Sequence, residues 1–403
     1  MSNWGPSMPE RTVQLSELVD KELLEVGAGR PRSVSADHGP FPILRVADVL
    51  DGRIEYAGHT SSGAVDRQRL GPKVSQPGDI VLTVKGTVGR VAIMPPEAQI
   101  FAYSPQLCYF RPLAGGPLVP RYLYYWFRST EFWVQANVVK GQTDMADFIS
   151  LGDVISLEMR LPSVSEQRSV SELLGALDDK IAVNERIATT ADELLRTQFA
   201  HFSTESRATV RIGEIGALIR DSVSVAHLSG NENYIGLEHM PRRNMWLSEW
   251  NNAAELASAK STFMENDVLF GKLRPYFHKV GIALTDGICS TDILVVRPKE
   301  ASYLGWLLLA LSSDDMVSHA SALSDGTRMP RAKWNDLASY EIPWPEAGRV
   351  AQVNGAVRSI TERVRAAAAE SHTLATLRDT LLPHLMSGRL RVRDAEKIIE
   401  DRA

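Results

Sequence analysis

Two long segments carry apolar residues at alternating spacings of three and four, and this pattern most constrains how the 403-residue chain can fold. They are residues 161–202 and 350–385. A repeat of about 3.5 residues is typical of helices that pack along their whole length on another helix. We therefore expect each segment to be the other's partner. The predicted core positions are Leu174, Leu177, Ile181, Asn184, Leu195, Val353, Val357, Ile360, Val364, Leu374 and Leu381.

Asn184 is the polar exception in this predicted core, and two interpretations are open. An asparagine at a core position can fix the register of paired helices at some cost in stability. Alternatively, the helix is rotated slightly so that Asn184 faces outward and Ile187 takes its place. The regular spacing favours the register role.

The chain also repeats itself. After residue 202, short features return in the order that they have earlier in the chain, which indicates a duplicated unit. Each copy alternates strand-like and helical segments and then continues into one of the long helices. The matched steps are Gly78-Asp79 with Asn266-Asp267, Arg111-Pro112 with Arg297-Pro298, Tyr122-Leu123 with Tyr303-Leu304, and Leu161-Pro162 with Ile342-Pro343.

The predicted fold class is α+β, with two tandem α/β domains separated by two long helices in an internal repeat. The predicted boundaries place the first domain at residues 1–160 and the first long helix at 161–203. They place the second domain at 204–342, the second long helix at 343–388 and a C-terminal tail at 389–403.

Charge and composition exclude some classes of protein. The net charge is −5, which argues against a generic polyanion binder but allows positive charge concentrated on one face. No apolar run reaches the ~18 residues needed to span a bilayer, and no signal peptide is apparent, so we expect a cytoplasmic protein without a membrane partner. Cys108 and Cys289 lie in apolar strand-like segments, and we expect buried free thiols.

Catalytic and metal-binding patterns are missing from the sequence. The nine histidines are scattered, and two distant cysteines are too few for a zinc site. Neither a P-loop nor a dinucleotide-binding fingerprint is present. We therefore predict no catalytic residue and no metal site in this chain.

Basic and polar residues at predicted turn tips are the remaining functional signal. Lysine and arginine neutralise phosphates, and arginine also reads guanine bidentately in the major groove of DNA. Any single one of these residues could be a solvated turn charge. Because basic loops occur at equivalent positions of both repeats, we favour DNA contact. The predicted DNA-binding residues are Arg30, Arg32, Lys85, Thr87, Arg90, Arg242, Arg243, Lys272, Arg274, Tyr276 and Lys279.

Three stretches resemble one protein family. Residues 161–186, read as LPSVSEQR followed by LGALDDKI and NER, resemble the central conserved region of the specificity (S) subunits of Type I restriction–modification systems. Residues 78–90 resemble the core of their target-recognition domains, and residues 376–392 their C-terminal conserved region. The second repeat departs from the pattern, since it lacks the Gly-Thr-Val-Gly loop and has Glu346-Ala347-Gly348-Arg349 in place of Glu-Gln-Arg.

The resemblance implies a non-catalytic subunit whose two target-recognition domains each read half of a bipartite, asymmetric site in double-stranded DNA. It implies that the long helices form an antiparallel coiled coil on which two methylation (M) subunits and the restriction (R) subunits assemble. S-adenosylmethionine, ATP and Mg are then expected on those partners, with no cofactor on this chain. Glu166, Gln167 and Arg168 are the implied docking residues.

The length of the predicted helices agrees with this interpretation. About 33 helical residues make a rod of roughly 50 Å, the same order as the roughly 34–36 Å turn of B-DNA. The alternative is a coiled-coil scaffold or adaptor whose globular domains bind protein rather than DNA. The pair of basic loops is the feature that separates the two.

Overall fold

The computed structural model describes residues 11–29, 40–56, 58, 60–64, 73–142, 147–254, 256–324 and 329–400. The chain forms two compact units. The first unit comprises Met1–Asp179 and Leu374–Ala403, and the second comprises Lys180–Thr373. The helices are α1 (Leu15–Asp20), α2 (Pro120–Arg128), α3 (Thr130–Val139), α4 (Leu151–Ser156), α5 (Val164–Glu205), α6 (Ile212–Ile215), α7 (Leu304–Leu311), α8 (Asp314–Ala322), α9 (Trp334–Ser339), α10 (Ala347–Met386) and α11 (Val392–Glu400).

Short strands make up the rest of the regular structure. Those of the first unit are β1 (Arg11–Gln14), β2 (Leu24–Ala28), β3 (Pro40–Leu44), β4 (Thr60–Ala64), β5 (Ile80–Thr83), β6 (Val91–Ile93), β7 (Ala102–Tyr103), β8 (Leu107–Pro112), β9 (Gly141–Gln142), β10 (Asp147–Phe148) and β11 (Glu158–Leu161). Those of the second unit are β12 (Ala208–Arg211), β13 (Gly216–Ile219), β14 (Ser222–Val223), β15 (Asn233–Ile235), β16 (Trp246–Leu247), β17 (Asn251–Asn252), β18 (Lys260–Phe263), β19 (Val268–Gly271), β20 (Val280–Ala283), β21 (Gly287–Cys289), β22 (Ile293–Pro298) and β23 (Glu341–Trp344).

The first unit is built on an antiparallel sheet in the order β2-β8-β5-β6. All four residues of β5, Ile-Val-Leu-Thr, are buried, in agreement with the apolar character of the first three. Helix α2 packs its aromatic side chains into the same core, where Trp126 and Phe127 are fully buried beside Phe110 of β8. A second sheet has the order β4-β3-β7, and β1 pairs with β11 just before α5 begins.

The second unit repeats this topology. Strands β13-β22-β19-β20 follow the order of β2-β8-β5-β6, with β16 added at the edge in parallel to β20. Strand β12 pairs with β23 just before α10 begins, as β1 pairs with β11 before α5. The second five-stranded sheet has the order β14-β18-β21-β15-β17. The predicted internal repeat of α/β domains is therefore confirmed.

Equivalent ion pairs show how closely the two copies correspond. Asp79 accepts two hydrogen bonds from the guanidinium of Arg111, at 2.6 and 2.8 Å. Asp267 accepts two from Arg297, both at 2.7 Å. These pairs explain why an arginine-proline step follows a glycine-aspartate or asparagine-aspartate step in each repeat. Both aspartates lie at the start of a buried strand and fix the neighbouring strand through the arginine.

Helices α5 and α10 pair within each unit. In the first unit, the apolar side chains of Leu174 and Leu177 join the same core as Leu377 and Leu381. In the second unit, Leu195 of α5 shares a core with Val353, Val357 and Val364 of α10. Within the second unit the two helices run antiparallel, because Asn184 contacts Ala367 and Ser371. Phe202, further along α5, contacts Arg349, which is earlier in α10, with the guanidinium 4.9 Å from the ring centroid. The predicted fold class is confirmed.

Serine residues cap equivalent helices in the two units. Ser129 separates α2 from α3, and its hydroxyl caps α3 by accepting from the Phe132 N–H at 3.3 Å. Ser313 caps α8 in the same way, accepting from the Met316 N–H at 3.2 Å. In the first unit the short helix α4 follows and leads into β11, which begins at Glu158.

Both cysteines are buried and free, as expected. Burial raises the pKa of the Cys108 thiol to about 12 and that of Cys289 also to about 12. None of the helices traced in the structure is both long enough and apolar enough to cross a membrane.

Candidate nucleic-acid interface

The predicted basic loop of the first unit joins β5 to β6. Lys85 and Thr87 are exposed, whereas Arg90 is half-buried and donates from Nη1 to the Val49 carbonyl at 3.3 Å. Gly86 and Gly89 have left-handed backbones, with φ of 86° and 101°. A Cβ on Gly89 would lie 2.1 Å from the Trp133 ring, so this position admits only glycine. Arg30 and Arg32 lie outside the described residues.

The loop that joins β19 to β20 in the second unit has the same backbone frame. The Gly271 N–H donates to Lys279 O at 2.8 Å, as Thr83 donates to Arg90 O at 2.9 Å. The Arg274 N–H donates to Pro330 O at 2.7 Å, as Gly86 donates to Asp147 O at 3.3 Å. The two basic loops predicted from the repeat therefore occupy equivalent places.

The left-handed positions of the two loops coincide, but their residues differ. Arg274 (φ 51°) stands where the first unit has Gly86, and His278 (φ 52°) stands where it has Gly89. A left-handed backbone costs a residue with a side chain about 1–2 kcal/mol relative to the right-handed one. Such strain persists where the side chain itself is needed and the surrounding structure holds the backbone in place. The second loop therefore carries two side chains at positions that favour glycine.

Aromatic and cationic groups meet in this second loop. The guanidinium of Arg242 lies over the Phe277 ring, with Cζ 4.2 Å from the ring centroid, and that of Arg274 lies 5.9 Å from it. Tyr276 contacts Phe277 edge-on with ring centroids 4.9 Å apart, and 55 % of Tyr276 is exposed. We call this group of Arg242, Arg274, Tyr276 and Phe277 the arginine–aromatic cluster.

The remaining predicted cations around this loop have different environments. Arg243 is exposed and forms an ion pair with Asp314 at 2.8 Å. Lys279 donates from Nζ to the Leu237 carbonyl of its own chain, and burial together with the charge of Arg242 lowers the pKa of its amine. Lys272 is half-buried. The predicted DNA contacts of Arg243 and Lys279 are thus less available than those of Arg242 and Arg274.

Acidic neighbours do not neutralise the most prominent of these cations. Among the residues that the structure describes, no carboxylate pairs with Lys85, Arg242, Lys272 or Arg274, whereas Arg331 and Arg243 nearby are paired. Unpaired cations raise the local positive potential and attract polyanions such as DNA. The acidic net charge of the chain is therefore compatible with positive charge at the loops.

The predicted docking residues lie at the start of α5 in the first unit. Arg168 is exposed, and Glu166 accepts from Arg160 at 2.8 Å. Gln167 is fully buried, where its amide accepts from the Val119 N–H at 2.9 Å and donates to Pro117 O at 2.8 Å. The side chain of Gln167 therefore attaches α5 to the start of α2 and is not exposed, whereas the docking role of this segment stays a prediction.

The predicted coiled-coil core is largely buried. Leu174, Leu177, Leu195, Val353, Val357, Val364 and Leu381 are buried, and Ile181, Ile360 and Leu374 are half-buried. Asn184 is also buried, and its amide donates to Ala367 O, to Glu370 Oε2 at 2.8 Å and to Ser371 Oγ at 3.2 Å. Ile187 is 45 % exposed. The structure thus has Asn184, not Ile187, in the seam.

A metal site is not evident within the described ranges, where no group of three or more His, Cys, Asp and Glu side chains could hold an ion. Phe277 and Asp314 are the residues of this region that the sequence prediction missed. The only sequence signal for Phe277 was its place in Arg274-Pro275-Tyr276-Phe277-His278, between basic residues.

Comparisons with known proteins give one curated relative and a shared fold. The chain is similar to the specificity subunit of the Type I restriction enzyme EcoDI of Escherichia coli, with 32% identity over 91 residues. This match covers 22% of the chain and spans only 20% of the length of that relative. No family model matches the chain.

Among solved structures, the crystal structure of the Type I restriction–modification S subunit from M. genitalium has a TM-score of 0.54 and 14% identity, covering 96% of this chain and 98% of that one. The chain therefore has the same fold as that S subunit. The HsdS subunit from Thermoanaerobacter tengcongensis matches with a TM-score of 0.35 and 17% identity, covering 96% of this chain and 100% of that one. The resemblance predicted from the sequence motifs is confirmed.

Proposed function

We propose that this chain, which has the fold of a Type I restriction–modification S subunit, is the sequence-specific DNA-binding subunit of such a system. The observation that carries the proposal is a basic loop at the same place in both repeats. In each case the loop follows the buried strand that comes directly after the aspartate of the ion pair. Within the part of the chain that the structure describes, no carboxylate pairs with Lys85, Arg242, Lys272 or Arg274. Their charges are therefore available to a polyanion.

The site that the chain reads is proposed to be bipartite and asymmetric. Each unit carries one basic loop on the same backbone frame, so each unit reads one half-site. The loop chemistry differs, since the first unit presents Lys85 and Thr87 between glycines and the second presents the arginine–aromatic cluster. Two different loops predict two different half-sites, and the paired long helices set the unread spacer between them.

Two methylation subunits and the restriction subunits are the proposed protein partners. Exposed apolar side chains on α5 support such a partner surface in the second unit, where Val183, Ile187 and Leu194 are 43 %, 45 % and 49 % exposed. They line a groove of about 460 Å³ together with residues of α10, and Arg186 and Arg363 also line it. An exposed apolar surface of this kind marks a protein-binding site. The partners are proposed to carry S-adenosylmethionine, ATP and Mg, and this chain no catalytic group.

A methylome experiment tests the proposal. Cells that contain the chain and its methylation subunits should carry methylated adenines or cytosines in one bipartite motif, and cells without the chain should not. The purified complex should shift genomic fragments that contain the motif. If the complex binds protein partners but no DNA, the adaptor interpretation replaces this one.

Substitution of the basic residues sharpens the test. Lys272→Ala combined with Arg274→Ala should weaken binding to the full motif and relax discrimination in one half-site only. Their position in a single unit is the reason. Equal losses at both half-sites, or no loss, would contradict the assignment of one half-site to each unit.

A further inference from the structure

Phe277 lies at the centre of the arginine–aromatic cluster without carrying a charge or a hydrogen-bonding side chain. Its half-buried ring, in the one-turn 3-10 helix Pro275–Phe277, faces the guanidinium groups of Arg242 at 4.2 Å and Arg274 at 5.9 Å. A guanidinium within about 6 Å of an aromatic centroid is attracted to the face of the ring. One ring therefore holds two cations that come from separate segments of the chain.

The backbone around Phe277 is tethered on several sides. The Arg274 N–H donates to Pro330 O at 2.7 Å, and the Phe277 N–H donates to Arg274 O at 2.9 Å. The Arg243 N–H donates to His278 O at 2.9 Å, which ties the segment of Arg242 to the end of the turn. The positions of the two guanidinium groups are consequently set before any ligand arrives.

The donors of these two guanidinium groups remain available. No described carboxylate pairs with Arg242 or Arg274, whereas Arg243 next to them is held by Asp314. Attraction to an aromatic face leaves the N–H edge of a guanidinium free for bidentate hydrogen bonds. In the major groove of DNA, the group that matches the two N–H donors of a guanidinium is the edge of guanine, with its O6 and N7 acceptors.

The backbone of Arg274 gives independent support. The equivalent position of the first unit is Gly86, and both have positive φ. Glycine would satisfy this backbone without strain, so the strained arginine indicates that its side chain is the functional group. His278, the other strained residue, is buried and bonded to Ser312 O at 2.9 Å, and therefore serves the loop's structure.

We propose that Phe277 is a positioning residue that holds Arg242 and Arg274 for hydrogen bonds to guanine in one half-site. The inference rests on the proposed function and deepens it, because it separates base-reading cations from those that contact phosphates or the protein. Arg242 and Arg274 confer discrimination, whereas Lys272 contributes to affinity for any sequence.

Arg274→Gly is the first test, performed on the complex with its methylation subunits. The variant keeps the backbone that Gly86 has in the first unit, so the melting temperature should stay the same or rise. Discrimination between the cognate motif and one with the second unit's half-site scrambled should fall about tenfold. Glu22→Gly removes a left-handed side chain from the first unit, at φ 55°, and should leave discrimination unchanged.

Phe277 is tested by a matched pair of substitutions. Phe277→Leu retains an apolar side chain and removes the aromatic face, so discrimination at the same half-site should fall as it does in Arg274→Gly. Phe277→Tyr keeps the face and should restore it. DNA in which 7-deazaguanine, which lacks N7, replaces the guanine should bind the wild-type complex more weakly. The affinity of the Arg274→Gly complex should not change.

The outcomes separate this inference from the proposed function. If the wild-type complex discriminates no sequence, the proposed function fails. If it discriminates but Arg274→Gly and Phe277→Leu retain full discrimination, the function stands and the positioning role is wrong. A third outcome is that Phe277→Leu loses discrimination, Phe277→Tyr does not restore it, and the affinity for scrambled DNA falls equally. That outcome would assign Phe277 a purely structural role.

Discussion

Arg378 of α10 donates to Asp178 of α5 at 2.7 Å within the first unit. The other carboxylate oxygen of Asp178 accepts from the Tyr125 hydroxyl of α2, also at 2.7 Å. One carboxylate therefore connects three helices of this unit. The aspartate-aspartate step of the central motif is explained by this contact for Asp178 and by an exposed ion pair with Arg121 for Asp179.

Asp178→Ala should destabilise the first unit by about 2 kcal/mol, because it removes charge-assisted hydrogen bonds and leaves Arg378 and Tyr125 poorly paired. Asp179→Ala is the matched control, since Asp179 is 68 % exposed and exposed ion pairs contribute less than about 1 kcal/mol. Amide hydrogen exchange of the α2 and α5 backbone measures both. Equal effects of the two substitutions would show that Asp178 has no special connecting role.

Asn184 should determine the register of the helix pair in the second unit more than its stability. Asn184→Leu replaces a buried polar side chain by an apolar one, so the melting temperature should stay the same or rise. The three hydrogen bonds to α10 are lost, so alternative registers become accessible. Spin labels at residues 185 and 362 should then give a broad distance distribution, where the wild type gives a narrow one.

The matched control is Val183→Leu, which changes an exposed residue of the same helix and should preserve the narrow distribution. A narrow distribution in Asn184→Leu would mean that the apolar core alone sets the register.

The long helices and the repeat could be predicted from the sequence because both signals are local. The apolar spacing of Leu174 and Leu177 is visible within a few residues. The Asp267–Arg297 pair was visible as a repeated sequence step, although its bidentate contact was not. Pattern is thus sufficient where one element or one repeat carries the whole signal.

The contacts that the sequence did not reveal involve partners distant in the sequence. Gln167 bonds the backbone N–H of Val119, which is 48 residues away, so its burial cannot be read from the helix pattern. Phe277 becomes a candidate only when Arg242 is folded onto its ring. Similarly, the sequence shows the charge of Lys279 but does not show the Leu237 carbonyl that accepts from its amine.

Arg111→Ala should destabilise the first unit by about 3–5 kcal/mol, because it leaves the carboxylate of Asp79 buried without its cation. Arg297→Ala removes the equivalent cation of the second unit and should cost only about 1.5–3 kcal/mol. The difference arises because the Arg297 side chain is 33% exposed and water can replace it, whereas the Arg111 side chain is 10% exposed. Hydrogen exchange in β5 and β19 measures each unit separately.

The double substitution Asp79→Asn with Arg111→Met is the control for this comparison. It removes both charges, so much of the stability lost in Arg111→Ala should return. A double variant as unstable as the single one would show that packing, rather than the unpaired charge, dominates the loss.

The stability of the second unit should fall as the pH falls, because of His278. Burial lowers the pKa of this imidazole below its usual value, and the charges of Arg196 and Arg243 act in the same direction, whereas its bond to Ser312 O and the charge of Asp314 oppose them. The unfolded chain binds a proton near pH 6.5 and the folded chain only at lower pH. The stability is therefore complete above about pH 6.5 and is lost as the pH falls towards the folded pKa.

His278→Asn tests this dependence, since asparagine accepts the left-handed backbone and its amide can donate to Ser312 O. Thermal unfolding at pH 7.5 and pH 5.5 should show a smaller loss of melting temperature in the variant than in the wild type. Because all other titrating groups are shared, the difference between the two proteins isolates His278. If the wild type loses no more stability than the variant at pH 5.5, or gains stability there, the lowered pKa of His278 is contradicted.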